Sequence, residues 1–195
     1  MPPDQVLVVF AGLPGTGKTT LARAVARELR AAYLDKDTVW ERLVALLHEL
    51  KPEVGLESAK PQAYALLTDL ARDNLSVGLS VVIDSPARYS AYRERAEQVA
   101  RAYGADLKLI ECICTDEAQL RERVESKSLG AGRSGDWESY QRERAAFERL
   151  TGQRLVVDTA EPVRLNVRKV LTYLGREARG LTRASEAVSP ASPDE

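Results

Sequence analysis

At 195 residues, 44% apolar and 29% charged, with a formal net charge of −1, the chain has the make-up of one globular domain with a single buried core. That balance argues against general nucleic-acid affinity, and no apolar run approaches the roughly 18–20 residues a bilayer span needs. Met1-Pro2-Pro3-Asp4 has no basic region or small-residue cleavage site of a secretory signal, so a cytoplasmic location is expected.

Val6–Ala11 is an unbroken apolar run rich in β-branched residues, the pattern of a strand buried on both faces. Beyond a glycine-rich loop, Leu21, Ala22, Val25, Ala26 and Leu29 recur at helical spacing and predict a helix over about 18–30. Ala32-Tyr33-Leu34 is a short second strand that runs into Asp35-Lys36-Asp37. Helical patterns follow over about 38–50 and 58–77, separated by Pro52 and Gly55. Leu79–Asp84 reads as a third strand closed by Ser85-Pro86, with a charged helix over about 89–103. Leu107–Cys114 and Arg154–Asp158 are the fourth and fifth strands, and Val163, Val167, Val170, Leu171 and Leu174 mark a last helix. Cys112 and Cys114, flanking Ile113, read as small strand residues rather than a metal site. His48, alone on a mostly apolar helix, reads as structural.

Alternating strands and helices predict a parallel sheet with helices on both faces, and ligands at the strand C-terminal ends. The segment 116–150 interrupts this pattern. It is dense in Arg and Glu, with a Gly/Ser-rich centre at 128–135. Beyond Gly175 the chain is polar and rich in Ser and Pro, so the reading is one domain over 1–175 and a disordered tail over 176–195.

Gly12-Leu13-Pro14-Gly15-Thr16-Gly17-Lys18-Thr19 satisfies G-x-x-x-x-G-K-[ST] between a predicted strand and a predicted helix. Such glycines let backbone N–H groups turn toward phosphates, and the helix N-terminus attracts the same anion. Lys18 supplies a compact positive charge for the β- and γ-phosphates, and Thr19 a hydroxyl for Mg²⁺. Gly12, Pro14, Gly15, Thr16, Gly17, Lys18, Thr19 and Thr20 are therefore the candidate nucleotide-binding residues.

Asp84 closes an apolar strand, where a carboxylate holds the Mg²⁺ shell or sits beside the phosphate acceptor; the bland alternative is a helix-capping loop residue. Asp35 and Asp37 leave the second strand about twenty residues beyond the loop. If that strand lies next to the first, a carboxylate there can accept the proton of an attacking hydroxyl. Asp37 equally suits the N-cap of the helix from about 38. The arginine-dense segment reads as a lid, with Arg123 and Arg133 as the arginines to close over a transferring phosphoryl group. Against this stands a solvated charged hairpin, because Arg121, Arg123, Arg142 and Arg144 alternate with glutamates. A guanine-reading N-K-x-D motif is absent from the sequence.

The loop Gly12–Thr20, the Asp35-x-Asp37 pair, the Val81–Asp84 strand and the arginine lid together resemble the small P-loop kinase group. Polynucleotide 5′-hydroxyl kinases, gluconate kinase and chloramphenicol phosphotransferase belong to it. The resemblance spans about 5–175 and implies a three-layer αβα sandwich around a five-stranded parallel sheet, with ATP and Mg²⁺ as cofactors. It implies a catalytic carboxylate at Asp37 and an acceptor site between Asp37, the 40–80 helices and the loop after Asp84. Asp35, Asp37, Asp84 and Arg88 are the candidate acceptor-binding residues, and Trp40, Tyr64, Tyr89 and Tyr92 lie in segments able to line that site, although Trp40 and Tyr64 equally suit core positions on helix faces. It also implies that Thr159-Ala160-Glu161-Pro162 lies against the adenine. Lys127 departs from the pattern, standing where such kinases often carry a second lid arginine. The activity implied is transfer of the γ-phosphate to a hydroxyl of a small molecule by a monomer or homodimer. A polynucleotide or RNA 5′-hydroxyl kinase and a non-catalytic ATP-dependent switch are the alternatives.

Overall fold

In the computed structural model, which describes residues 5–50, 59–87, 89–126, 136–148 and 150–177, strand β1 (Val6–Ala11) is buried at every position. It earns that burial by position: β1 is the middle strand of a five-stranded sheet and is covered on both faces. The other strands are β2 (Ala32–Asp35), β3 (Val81–Asp84), β4 (Asp106–Ile113) and β5 (Leu155–Asp158). Their order is β2-β3-β1-β4-β5, and all four pairings are parallel. Seven helices are present among the described residues: α1 (Lys18–Leu29), α2 (Lys36–Leu50), α3 (Ala59–Ser76), α4 (Ser90–Ala102), α5 (Glu117–Glu125), α6 (Trp137–Ala145) and α7 (Val163–Tyr173).

Alternation along the strands divides the core in two. Val6, Val8 and Phe10 of β1 point to one face, where Leu21, Ala22 and Val25 of α1 and Val167, Val170 and Leu171 of α7 cover them. Leu7, Val9 and Ala11 point to the other, against Leu67, Ala71 and Leu75 of α3 and Ala96 and Ala100 of α4. Each fully buried Leu or Phe here contributes about 1.5–3 kcal/mol over its exposed state. A third cluster, Trp40, Val44, Ala59 and Ala63, joins α2 to α3. The layered parallel architecture read from the strand–helix alternation is thereby present.

Three local expectations are corrected. Strand β2 pairs with β3 rather than lying beside β1, so β3 separates them. Helix α2 begins at Lys36, not near 38, and the N–H of Asp37 is met by Asp35 Oδ1 at 2.9 Å. Asp35, not Asp37, thus does the capping at this helix start. The third strand also begins late: Leu79 stays exposed and β3 starts at Val81.

Candidate active site

The loop between β1 and α1 is shaped by glycines that no other residue could replace. Gly12 has φ +134°, and a Cβ there would lie 2.4 Å from the Cys112 carbonyl oxygen. Its N–H donates to the Pro86 carbonyl at 3.3 Å, tying the loop to the segment just beyond β3. At the other end Gly17, also in the left-handed region, caps α1 with no side chain, so the helix N-terminus opens into the loop. Within the turn, the Thr16 hydroxyl and the Lys18 ammonium both donate to the Leu13 carbonyl at 2.7 Å.

Beside this loop the parallel register aligns the carboxylates. Asp84 ends β3 opposite Phe10 of β1 on one side and Asp35 of β2 on the other. The residue is 4% exposed, and its Oδ2 accepts a hydrogen bond from the Tyr33 hydroxyl at 2.9 Å. No Lys or Arg among the described residues forms an ion pair with Asp84, although Arg23 lies near enough to interact with its charge. Burial, then the charge of Asp84, pushes the Tyr33 hydroxyl above its ordinary pKa. Arg23 of α1 lies over the Tyr33 ring, 5.4 Å from its centroid, and reaches Asp35 at 3.6 Å. Asp37, in the first turn of α2, pairs with the buried Lys36 ammonium at 3.0 Å, and that ammonium also lies 5.4 Å from the centre of the Trp40 ring.

On the opposite flank a cleft of about 340 Å³ is bounded by the loop, the start of α1, Arg123, Thr159 and Asn166. Strand β5 builds its wall. Asp158 accepts from the N–H groups of Thr115 and Ala160 at 3.2 and 3.0 Å, which curls the chain so that Thr159 meets the phosphate loop. The Thr159 hydroxyl donates to the Thr16 carbonyl at 3.0 Å. Arg123 of α5 donates to that same hydroxyl at 3.0 Å and to the Thr159 carbonyl at 3.1 Å. The buried Asn166 amide then secures the Asp158 and Glu161 carbonyls at 2.9 and 3.3 Å. Apolar contact brings the same helix onto the loop: Leu120, Val124 and Tyr140 form a cluster that includes Leu13. A Cβ at Gly15 would sit 2.7 Å from Val124 Cγ2.

The structure therefore gathers the loop residues Gly15, Gly17, Lys18, Thr19 and Thr20 with Arg123 around one cleft. It sets Asp84 beside Asp35 at the adjacent strand ends. Thr19 and Asp84 offer hard oxygen donors, and the unpaired buried carboxylate suits a bound divalent cation such as Mg²⁺. Arg88, Lys127 and Arg133 lie outside the described residues. Arg121 and Arg142 pair along their own helices with Glu125 and Glu138, at 2.8 and 2.7 Å, as a solvated charged face does. Trp40, Tyr64 and Tyr92 belong to the core, whereas Tyr89 stays partly exposed with its ring edge-on to Tyr64. Sequence reasoning passed over Tyr33, Arg23 and Lys36. A lysine between two aspartates was the one available signal; Tyr33 and Arg23 become partners only across elements.

The chain matches the AAA domain family (AAA_33) over residues 7–150. It is 30% identical over 179 residues to the adenylyl-sulfate kinase of Geotalea daltonii, across 87% of this chain and 83% of that protein. It is 32% identical over 109 residues to the shikimate kinase of Burkholderia pseudomallei (strain 1710b), across 54% of this chain. The match spans 59% of that shikimate kinase's length. In fold it resembles the Mycobacterium tuberculosis APS kinase solved in complex with AMPPNP and APS, with TM-score 0.62 and 23% identity over 89% of this chain and 99% of that one. The family match over residues 7–150, together with the 30% identity to an adenylyl-sulfate kinase across most of both chains, places the chain in the AAA domain family, among the small P-loop kinases.

Proposed function

We propose that this protein is an ATP-dependent kinase that transfers the γ-phosphate to a hydroxyl group of a small molecule. The observation that carries the reading is the register of three strand ends. Ala11 of β1 leads into the phosphate loop, Asp84 ends the adjacent strand β3, and Asp35 ends β2, the next strand out. Carboxylates so placed serve phosphoryl transfer, in which positioning and charge stabilisation supply most of the catalysis.

In this reading Lys18 and the loop N–H groups hold the triphosphate. Thr19 and Asp84 hold Mg²⁺, which when bound neutralises charge on the phosphates. Asp37 accepts the proton of the acceptor hydroxyl as its oxygen bonds to the γ-phosphorus and the bond to ADP breaks. Asp35, Asp84 and Arg88 line the acceptor. Arg123, already beside the nucleotide cleft, and Arg133 of the lid spread the charge of the transferring group. Cleft walls formed by Thr159 and Glu161 take the base. The relatives' names, which include shikimate and adenylyl-sulfate kinases, support a small acceptor carrying a hydroxyl.

The test is incubation with Mg²⁺ and γ-labelled ATP against nucleosides, sugars, shikimate, adenylyl sulfate, antibiotics and a 5′-hydroxyl oligonucleotide. Label on one of these compounds, lost in Asp37→Asn, is the expected result. Label released only as inorganic phosphate, at a rate no compound changes, would sink the proposal.

A further inference from the structure

We propose that Tyr33 is a positioning residue that acts through Asp84, orienting its carboxylate for the cation that accompanies ATP. The inference rests on the reading that Thr19 and Asp84 hold Mg²⁺. Three observations converge on it. The Tyr33 hydroxyl donates to Asp84 Oδ2 at 2.9 Å, across 51 residues of sequence. No other side chain among the described residues donates to the carboxylate of Asp84, a residue 4% exposed. The Tyr33 ring is itself held, with Arg23 over its face and the same guanidinium reaching Asp35.

The sheet explains why the contact forms. Tyr33 and Asp35 share one face of β2, as Val82 and Asp84 share one face of β3, and the register sets Tyr33 opposite Val82 and Asp35 opposite Asp84. A long side chain at Tyr33 therefore reaches diagonally to the carboxylate one step beyond its own partner. The terminal torsion of an aspartate is broad and barely constrained by rotamer preference. One hydrogen bond to Oδ2 fixes the plane of the group and leaves Oδ1 to other partners. A plain edge-sealing aromatic would need the ring and not the hydroxyl. That difference separates the two roles.

The experiment uses the full chain, with AMPPNP as the probe so that no turnover intervenes. Its affinity is measured by calorimetry in Mg²⁺ and in EDTA, for the wild type, Tyr33→Phe, Asp84→Asn and the double variant. Tyr33→Phe is expected to keep the wild-type melting temperature and its affinity in EDTA. It should lose about fivefold of the affinity that Mg²⁺ adds, the size of one hydrogen bond. In the Asp84→Asn background the same change should have no further effect. A Mg²⁺-dependent gain left intact in Tyr33→Phe overturns the proposal. So does a parallel loss in Mg²⁺ and in EDTA with a lowered melting temperature, since it marks support of the fold alone. A wild type that binds no AMPPNP overturns the nucleotide reading itself, an outcome distinct from the other two.

Discussion

Asp35 and Asp84 are register partners at the ends of β2 and β3, although 48 intervening residues (35 to 84) include two helices and a break. Their surroundings differ. Asp35 is engaged by the Asp37 N–H and by Arg23, whereas Asp84 is buried with a single neutral hydroxyl donor. Environment thus divides two similar carboxylates into one that shapes the start of α2 and one buried beside the Tyr33 hydroxyl.

Asp37→Asn should lower the rate of phosphate transfer by about 10²–10⁴-fold, the usual contribution of a general base. AMPPNP affinity should stay within about twofold, because Asp37 does not line the nucleotide cleft. Single-turnover transfer with the acceptor found by the panel, set against calorimetric binding, checks the separation. Equal losses in both would place Asp37 in binding instead.

Lys18→Ala removes the one loop ammonium, now 2.7 Å from the Leu13 carbonyl. AMPPNP affinity should fall about tenfold or more, as expected when a charge-assisted contact of about 1.5–3 kcal/mol is lost. Transfer should fall further still. Fluorescence titration of a labelled nucleotide reads the first, γ-label transfer the second.

Gly15→Ala should destabilise the protein and weaken nucleotide binding. Gly15 sits at φ +77°, and its new Cβ would meet Val124 Cγ2 at 2.7 Å and Leu120 Cδ1 at 3.1 Å. Backbone strain and overpacking together cost about 1–3 kcal/mol. Val124→Ala in the same chain should recover part of the loss by relieving the clash, leaving the φ strain. Thermal melts of the two single variants and the double variant measure that coupling.

Acid should loosen helix α6. The Ser139 N–H donates to the Asp136 carboxylate at 2.6 Å and holds its pKa below the ordinary 3.8. A depressed carboxylate pKa stabilises the folded form above the unfolded value, and the contribution is lost as pH falls through the folded value. Amide exchange of α6 should therefore accelerate as pH drops below about 4, relative to α1. Asp136→Ala should show the fast exchange at neutral pH and little further change with acid.

The two cysteines should react differently. Burial raises the Cys112 thiol to about 12, which leaves roughly one thiolate in 10⁴ at pH 8, while Cys114, just beyond β4, is only partly buried. Iodoacetamide on the native protein, followed by peptide mass analysis, should mark Cys114 first and Cys112 only after unfolding.

Much of this molecule was legible because its signals are local. The run Val6–Ala11, the glycine spacing of 12–19 and the periodic apolar residues of α1 each specify their own backbone, and they carried the parallel layered fold and the phosphate loop. Asp84 was legible too, as a carboxylate terminating an apolar strand. The place of β2 was not, because its four half-buried residues look the same beside β1 or beside β3. Only the packing of α1, α2 and α3 decides which gap it fills.

The sequence by itself determined which chemistry is available: a phosphate-cradling loop, strand-end carboxylates and an arginine-rich hairpin, each written in consecutive or periodically spaced residues. Tertiary structure alone decided which of those groups meet. Strand order put Asp35 beside Asp84, alternation aimed Tyr33 at that carboxylate, and packing of Leu120 and Val124 on the loop brought Arg123 to Thr159. The polar contacts among these join residues 36 to 51 positions apart, and a short window of sequence holds no term for such a distance. The physical cause is burial: the sheet and its helices can hide their apolar faces together in one register, and the polar side chains at the edge are carried into contact by it.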